Sequence, residues 1–261
     1  MKAITVSVAS HNRLDYLQKA LQSVVTQEWP TLEILVVDDG SEEETRTWLK
    51  RWGEQHPQAR VHFQAQSGVG EARRLGVELA SFPIIVILDS DDLLADGALS
   101  RISKAFEADP ELDLLYGDIE SRRSDGATSV RSYRSWRSNR VMALATLILP
   151  RLPFKHSGSA YRKETALSVG NYDASLKKKI DIDFFLKFLT EGKKVRYLPG
   201  GPLVIFHMHG DSISRNRVAG LDSWRVILHR YGPRGPLGWA MKGVKYSGEI
   251  AKVLYEKLFV K

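Results

Sequence analysis

The sequence contains no cysteine, which excludes disulfides, thiolate zinc centres and cysteine nucleophiles. It has no uninterrupted apolar stretch near the roughly 18 residues that a membrane helix needs. The N-terminal Met1-Lys2-Ala3-Ile4 enters a strand pattern at once, without the apolar region of a secretory leader. A cytoplasmic location is therefore expected, extended at most to peripheral contact at the inner membrane face. Glycine is missing from the turn after the first strand, Ser10-His11-Asn12-Arg13. A nicotinamide-binding α/β unit needs glycine there, so that pyrophosphate can approach the backbone. Gly68-Val69-Gly70 is the nearest glycine pair, and Arg73 stands where a third glycine would. The phosphate-loop lysine motif is absent too. No recognition-helix, zinc-finger or aromatic RNA-binding signature occurs, which argues against nucleic acid.

What is present is ordinary for a folded α/β protein: 261 residues, 43% hydrophobic and 26% charged. This is enough chain for one large domain with a sizeable core. The net charge of +7 and pI near 9.5 suggest an anionic partner such as phosphate or a membrane surface. The basic residues crowd into Arg122 to Arg140, Lys177 to Lys179 and the C-terminal segment.

The chain is organised around Ile84 to Asp92, an apolar run that stops at the carboxylates Asp89, Asp91 and Asp92. Such a run reads as a strand buried on both faces, with its acids at the carboxyl edge where open α/β sheets bind ligands. Clustered carboxylates repel unless a cation joins them, and oxygen donors of this kind suit Mg²⁺ or Mn²⁺. The other reading is an acidic turn capping the next helix.

Earlier strands are expected at Ala3 to Ala9, Leu32 to Val37 and Val61 to Ala65. Between them lie helices with Asn12 as N-cap of the first and a Ser41/Glu44 capping box opening the second. Gly68 to Ala80 reads as the third helix. The β-α-β-α-β-α-β order predicts a Rossmann-like, mostly parallel sheet with helices on both faces. Leu112 to Tyr116 reads as a further strand, and Asp118 to Trp136 as a polar hairpin turning at Ser124-Asp125-Gly126. Phe184, Phe185, Phe188 and Leu189 mark a helix whose N-terminus carries Asp181 and Asp183. Asp181 there reads on local grounds as an N-cap. Lys177 to Lys179 suggest a mobile cationic loop over the site. His207 and His209 share one face of a strand end, where imidazoles could meet metal or phosphate. Leu221 to Tyr231 and Pro236 to Phe259 read as a basic amphipathic helical tail, suited either to an anionic membrane or to packing on the domain or a second subunit, as in a homodimer.

Together, Val6-Ser-Val-Ala-Ser-His-Asn-Arg13, Glu33-Ile-Leu-Val-Val-Asp-Asp-Gly-Ser41, Gly68 with Ala72-Arg73, and Ile87-Leu-Asp-Ser-Asp-Asp92 resemble the successive signatures of family 2 glycosyltransferases of the GT-A fold. The resemblance spans roughly residues 3–215 and divides the chain into a GT-A domain, 1–215, and the helical tail, 216–261. Within the domain, 1–117 would bind nucleotide-sugar and 118–215 the acceptor.

The resemblance implies an inverting, metal-dependent glycosyltransferase using Mn²⁺ or Mg²⁺. A nucleotide-sugar donor, most commonly a UDP-sugar, would react with a glycan or lipid-linked acceptor. Asp38 and Asp39 would meet the base, with Ala9 and Ser10 lining the same pocket. Arg73 would lie near the diphosphate or ribose. Asp89, Ser90 and Asp91 would form the Asp-x-Asp motif, Asp91 being the direct metal ligand, Asp89 nearer the ribose and Asp92 assisting. His209 would approach the diphosphate and metal. Gly158, Ser159 and Asp183 would face the acceptor. Asp181 would be the catalytic base, although Ile180 stands where the family has glutamate. A non-catalytic sugar-nucleotide or membrane-binding protein of this fold, or a nucleotidyltransferase, are the alternatives.

Overall fold

The structure is a computed structural model that describes residues 1–123, 126–149, 151–208 and 218–259. In chain order the elements are β1 (Ile4–Ser10), α1 (Leu14–Val25), β2 (Leu32–Asp39), α2 (Glu43–Gln55), β3 (Ala59–Gln64), α3 (Val69–Leu79), β4 (Ile84–Asp89) and β5 (Asp92–Leu94). They continue with α4 (Ala98–Ala108), β6 (Leu114–Arg123), β7 (Thr128–Arg131), α5 (Asn139–Ile148), β8 (Ala160–Arg162), α6 (Lys163–Ser168), α7 (Ile180–Thr190), β9 (Val195–Met208), α8 (Val218–Tyr231) and α9 (Gly235–Phe259).

The strands form a single sheet in the order β3-β2-β1-β4-β8-β6-β9-β5, with β7 paired to β6. The first four are parallel, as the β-α alternation requires. Beyond β4 the sheet becomes mixed: β8 runs antiparallel to β4 and β6, while β9 is parallel to β6 and antiparallel to β5. The 118–136 segment makes the expected hairpin, pairing Ile119 with Arg131 and Arg122 with Thr128. Ser124 and Asp125 of its turn lie outside the described residues.

Alternation along the central strands feeds two cores. Ile34, Val36, Ile84, Val86 and Leu88 pack with α1 and α4 on one face. Leu35, Val37, Ile85 and Ile87 pack with α3 and α7 on the other. This period-2 division explains why uninterrupted apolar runs are needed in strands covered on both sides. Although α8 lies in the segment set apart as a tail, it sends Trp224, Ile227 and Leu228 into the second core. There α3 seats closely on the segment before α7: a Cβ on Gly70 would lie 3.1 Å from Ile180 Cδ1 and 3.2 Å from the Ala174 Cα. Among the described residues no helix is long and apolar enough to cross a membrane.

Three expected helix caps do not form. The N-cap of α7 is Lys179 and not Asp181. The N-cap of α1 is Arg13, and that of α2 is Glu42, neither with a side-chain capping bond. Asn12 and Ser41 instead join each other's loops. The Asn12 N–H donates to Ser41 Oγ at 2.7 Å, and the Glu42 N–H donates to Asn12 Oδ1 at 2.8 Å. A local capping rule is outbid here by a bond between strand ends.

Candidate active site

In-register pairing of β1 with β2 and β4 brings Ser10 beside Asp38 and Ala9 beside Asp89 at one sheet edge. Above this edge opens a cleft of about 570 Å³. Its walls include Ala9, Ser10, Asp39, Arg73, Asp89, Ser90, Asp91 and, from the other half of the chain, Asp181. The structure thus brings together eight residues that the sequence singles out.

The acids at the β1–β4 edge are each held. Asp39 accepts hydrogen bonds from Gln64 Nε2 and the Ser67 N–H, both at 2.7 Å, and from the Gly68 N–H at 2.9 Å. Those backbone donors lead into α3, so the carboxylate fixes the loop that starts the helix. Asp89 pairs with Arg73 at 2.5 Å and Asp91 with Arg13 at 3.0 Å. Burial would raise the Asp89 carboxyl, but the Arg73 and Lys155 cations hold it well below the usual carboxylate range. The neighbouring Asp92 is fully buried against Lys155 at 3.2 Å. Burial pushes its carboxyl up to about 7 against the pull of Lys155, and Asp89 adds to the rise. Asp92 therefore belongs to the wall under the cleft.

Strained backbone marks the rim. Asn12 and Arg13 have φ of 55° and 56°, and Lys179 has φ of 60°. Left-handed geometry at Arg or Lys costs on the order of 1 kcal/mol. At Arg13 the Asn12–Ser41 and Asn12–Glu42 bonds hold the turn, and the side chain reaches Asp91 across the cleft mouth. At Lys179, the N-cap of α7, the same geometry turns Asp181 toward the cleft.

An aromatic bed fixes α7. Phe184 stacks on Tyr172 at 3.9 Å between ring centroids, and Phe185 on Phe154 at 3.6 Å. Such pairs contribute roughly 0.5–1.5 kcal/mol each beyond area burial. Asp181, in the first turn, has no hydrogen bond to its carboxylate among the described residues and lies near enough to Arg73 to help keep it protonated.

Asp183, two residues on, is fully buried and lies away from the cleft. It accepts from Tyr231 Oη at 3.0 Å and Arg230 at 3.1 Å, and Lys187 Nζ lies at 3.3 Å. Arg230 also binds Asp173 at 2.6 Å. Asp38 likewise faces away: it is fully buried, and its Oδ2 accepts from the Ser41 N–H at 3.2 Å. Gly158 and Ser159 sit behind β4, exchanging backbone bonds with Ile87. Gly158 has φ of 82° and is approached by Val204, which leaves no room for a side chain. His209 and the Gly210-Asp211-Ser212 that follows lie outside the described residues.

Sequence reasoning did not select His11, Arg13, Gln66, Lys155 or Phe206, all of which line the cleft. His11 Nδ1 meets the Asp39 carbonyl at 2.8 Å. Lys155 sits 4.2 Å from the Phe206 ring centroid, and Phe206 is placed by its register opposite Asp92. The available signal is the Lys155-His156 pair in an otherwise apolar and small stretch, Leu152 to Ser157, just before Gly158. Lys177, Lys178 and Lys179 do line the cleft. Where the sequence suggests mobility, α8 braces this loop: the Lys178 N–H donates to Ser223 Oγ at 3.2 Å and Lys179 lies over the Trp224 ring.

No group of three or more His, Asp or Glu side chains gathers around a common point among the described residues. Asp89 and Asp91 nonetheless fit a hard divalent cation, which commonly takes one or two carboxylates and completes its shell with phosphate oxygens and water. The surrounding cations Arg13, Arg73, Lys155 and the three lysines suit a diphosphate.

The sequence pattern described as "Glycosyl transferase family 2" matches residues 5–169. Among similar proteins, an uncharacterised glycosyltransferase of Escherichia coli, YibD, is 24% identical over 98% of this chain and 70% of its own length. An uncharacterised glycosyltransferase of Nostoc is 32% identical over 43% of this chain and 35% of its own. The chondroitin synthase of Pasteurella multocida is 23% identical over 73% of this chain, which spans only 19% of that enzyme. The folds of Staphylococcus aureus TarS with UDP-GlcNAc and of the Pyrobaculum calidifontis mannosyltransferase PcManGT with GDP-Man and Mn²⁺ superpose on all of this chain and 76% of each partner. Their TM-scores are 0.71 and 0.67, at 18% and 17% identity.

Proposed function

This chain belongs to glycosyl transferase family 2, and on that premise we propose that it moves a sugar from a nucleoside-diphosphate donor, with UDP-sugars foremost, to a hydroxyl of a glycan or lipid-linked acceptor with inversion at the anomeric carbon. One observation carries this reading: a single cleft has Asp89 and Asp91 on one wall and on another the carboxylate of Asp181, which accepts no hydrogen bond among the described residues. Solved structures of the same fold bind UDP-GlcNAc and GDP-Man, which supports a sugar-nucleotide in that cleft.

Ala9, Ser10, His11 and Asp39 form the end that receives the base and ribose. Arg13, Arg73, Lys155 and the Lys177–Lys179 loop surround the diphosphate and neutralise its charge. Asp91, with Asp89 beside it, would hold the divalent cation, which when bound offsets negative charge on the leaving diphosphate. Asp181 accepts the proton of the acceptor hydroxyl as that oxygen bonds to the anomeric carbon and the bond from that carbon to the diphosphate breaks. Inversion follows from this single in-line displacement. The family match ends before α7, so the role of Asp181 rests on its place in the cleft.

The test is a thermal-shift panel of UDP, GDP, dTDP and CDP, each with and without Mn²⁺, on the wild type and on D91N. A ligand that binds only the folded state raises its melting temperature. A Mn²⁺-dependent rise with one nucleotide, absent in D91N, is expected. Equal rises in both proteins would overturn the metal assignment, and no rise with any nucleotide would overturn the donor assignment.

A further inference from the structure

The outer face of α5 is apolar. Val141, Leu144 and Ile148, at the i, i+3, i+7 spacing of one helix face, are 44%, 41% and 44% exposed, and Leu149 at the end of the helix is 40% exposed. The opposite face is the one that packs, burying Met142, Thr146 and Leu147. The stripe is therefore not an edge of the core. Asn139 Nδ2 pins the N-terminal turn to the Lys193 carbonyl, and Ser138 caps it. At the other end Lys245 of α9 donates to the Leu149 carbonyl, and α9 exposes Trp239 to 78% and Val244 to 71%.

The frame of this stripe is basic. Arg137, Arg140 and Arg151 are exposed around it. From Gly126 to Lys163 the chain carries eight arginines and lysines and no acidic residue. A second copy of the chain docking here by two-fold symmetry would set arginine against arginine. An acidic phospholipid surface offers what both parts of the face lack: negative headgroups for the arginines and an acyl boundary for the aliphatic side chains.

We propose that the outer face of α5, adjoined by α9, is a docking surface for an anionic phospholipid bilayer. The helix lies in the interface plane, with Val141, Leu144 and Ile148 entering the acyl boundary and Arg137, Arg140 and Arg151 at headgroup level. This surface is separate from the cleft, and none of these residues lines it.

Co-sedimentation of the full chain with vesicles tests this and needs no sugar donor, so its outcome is independent of the transfer reading. Wild type is expected to sediment with phosphatidylcholine vesicles containing about a third phosphatidylglycerol, and far less with phosphatidylcholine alone. The double variant L144E/I148E should bind at least about tenfold more weakly. R137A/R140A, which keeps the apolar stripe, should lose about fivefold per arginine together with the preference for anionic vesicles. Melting temperatures close to wild type would show that the folds are intact, and should L144E/I148E fail to fold, R137A/R140A decides. Equal sedimentation of wild type and R137A/R140A would overturn the proposal. So would a wild type that ignores both kinds of vesicle, including one that runs as a dimer which L144E/I148E splits.

Discussion

The two halves of the cleft hold their carboxylates in opposite ways. On the β1–β4 side Asp39 is tied to three donors, Asp89 to Arg73 and Asp91 to Arg13. On the α7 side Asp183 is locked by Tyr231, Arg230 and Lys187, while Asp181, one helical step nearer the cleft, accepts no hydrogen bond among the described residues. Groups that orient a ligand gain from being fixed before it arrives. A group that must take a proton needs its lone pairs available at the moment of reaction. The contrast is the one that the proposed division of tasks requires, and on α7 it separates two acids that local sequence treats alike.

The sharpest way to break this division is D181N. Turnover should fall by about 10²–10⁴ with donor binding and melting temperature unchanged, as read by initial rates and thermal shift. Unchanged turnover would remove the base from α7. Next in size is D183A, which removes the buried acceptor of Tyr231 and Arg230 while Arg230 keeps Asp173 and Lys187 keeps the Gly170 and Asn171 carbonyls. It should destabilise the fold by about 1–3 kcal/mol in a urea titration. A loss below about 0.5 kcal/mol would make the Asp183 cluster ornamental. Replacing Lys177, Lys178 and Lys179 together by alanine should raise the donor KM about five- to tenfold, more at low salt than at high, since the contribution is Coulombic and partly screened. A KM indifferent to salt would move the diphosphate elsewhere.

The smallest expected effect is a pH dependence at Asp173. Burial would raise its carboxyl, but bonds from Ser175 and Arg230 hold it below its ordinary value. A depressed folded pKa gives stability that is fully present above the unfolded value of about 4 and lost as pH falls toward the folded one. The melting temperatures of wild type and D173N should therefore converge below about pH 4 and separate above it. Convergence at higher pH instead would reverse the sign of this pair.

The β1-to-β4 frame was legible because a doubly covered parallel strand must be apolar throughout, and because its acids fall at a fixed edge. The first turn of α7 was legible for the same reason: Phe184, Phe185, Phe188 and Leu189 declare its buried face. Partners distant in sequence were not. Nothing near Asp183 in the chain announces Arg230, 47 residues away, and nothing near Asp92 announces Lys155. The caps at Asn12 and Ser41 were misassigned because either residue satisfies a local rule, while the fold offered each a better bond across the strand ends. The exposed side of α5 is illegible for a related reason, since an apolar run such as Met142 to Leu149 does not say which side of a helix finds a neighbour.

The bare Cα of Gly70 sets how closely two walls of the cleft approach. With Ile180 Cδ1 at 3.1 Å and the Ala174 Cα at 3.2 Å from where a Cβ would stand, closer than ordinary van der Waals contact, the wall bearing Arg73 and the wall bearing Asp181 rest on one another at that point. The gauge of the cleft between Arg73 and Asp181 is thus set where α3 meets the segment before α7, like the throat of a calliper closed on its stop. A single methyl there is a shim, and the width of the cleft becomes answerable to a position outside its lining.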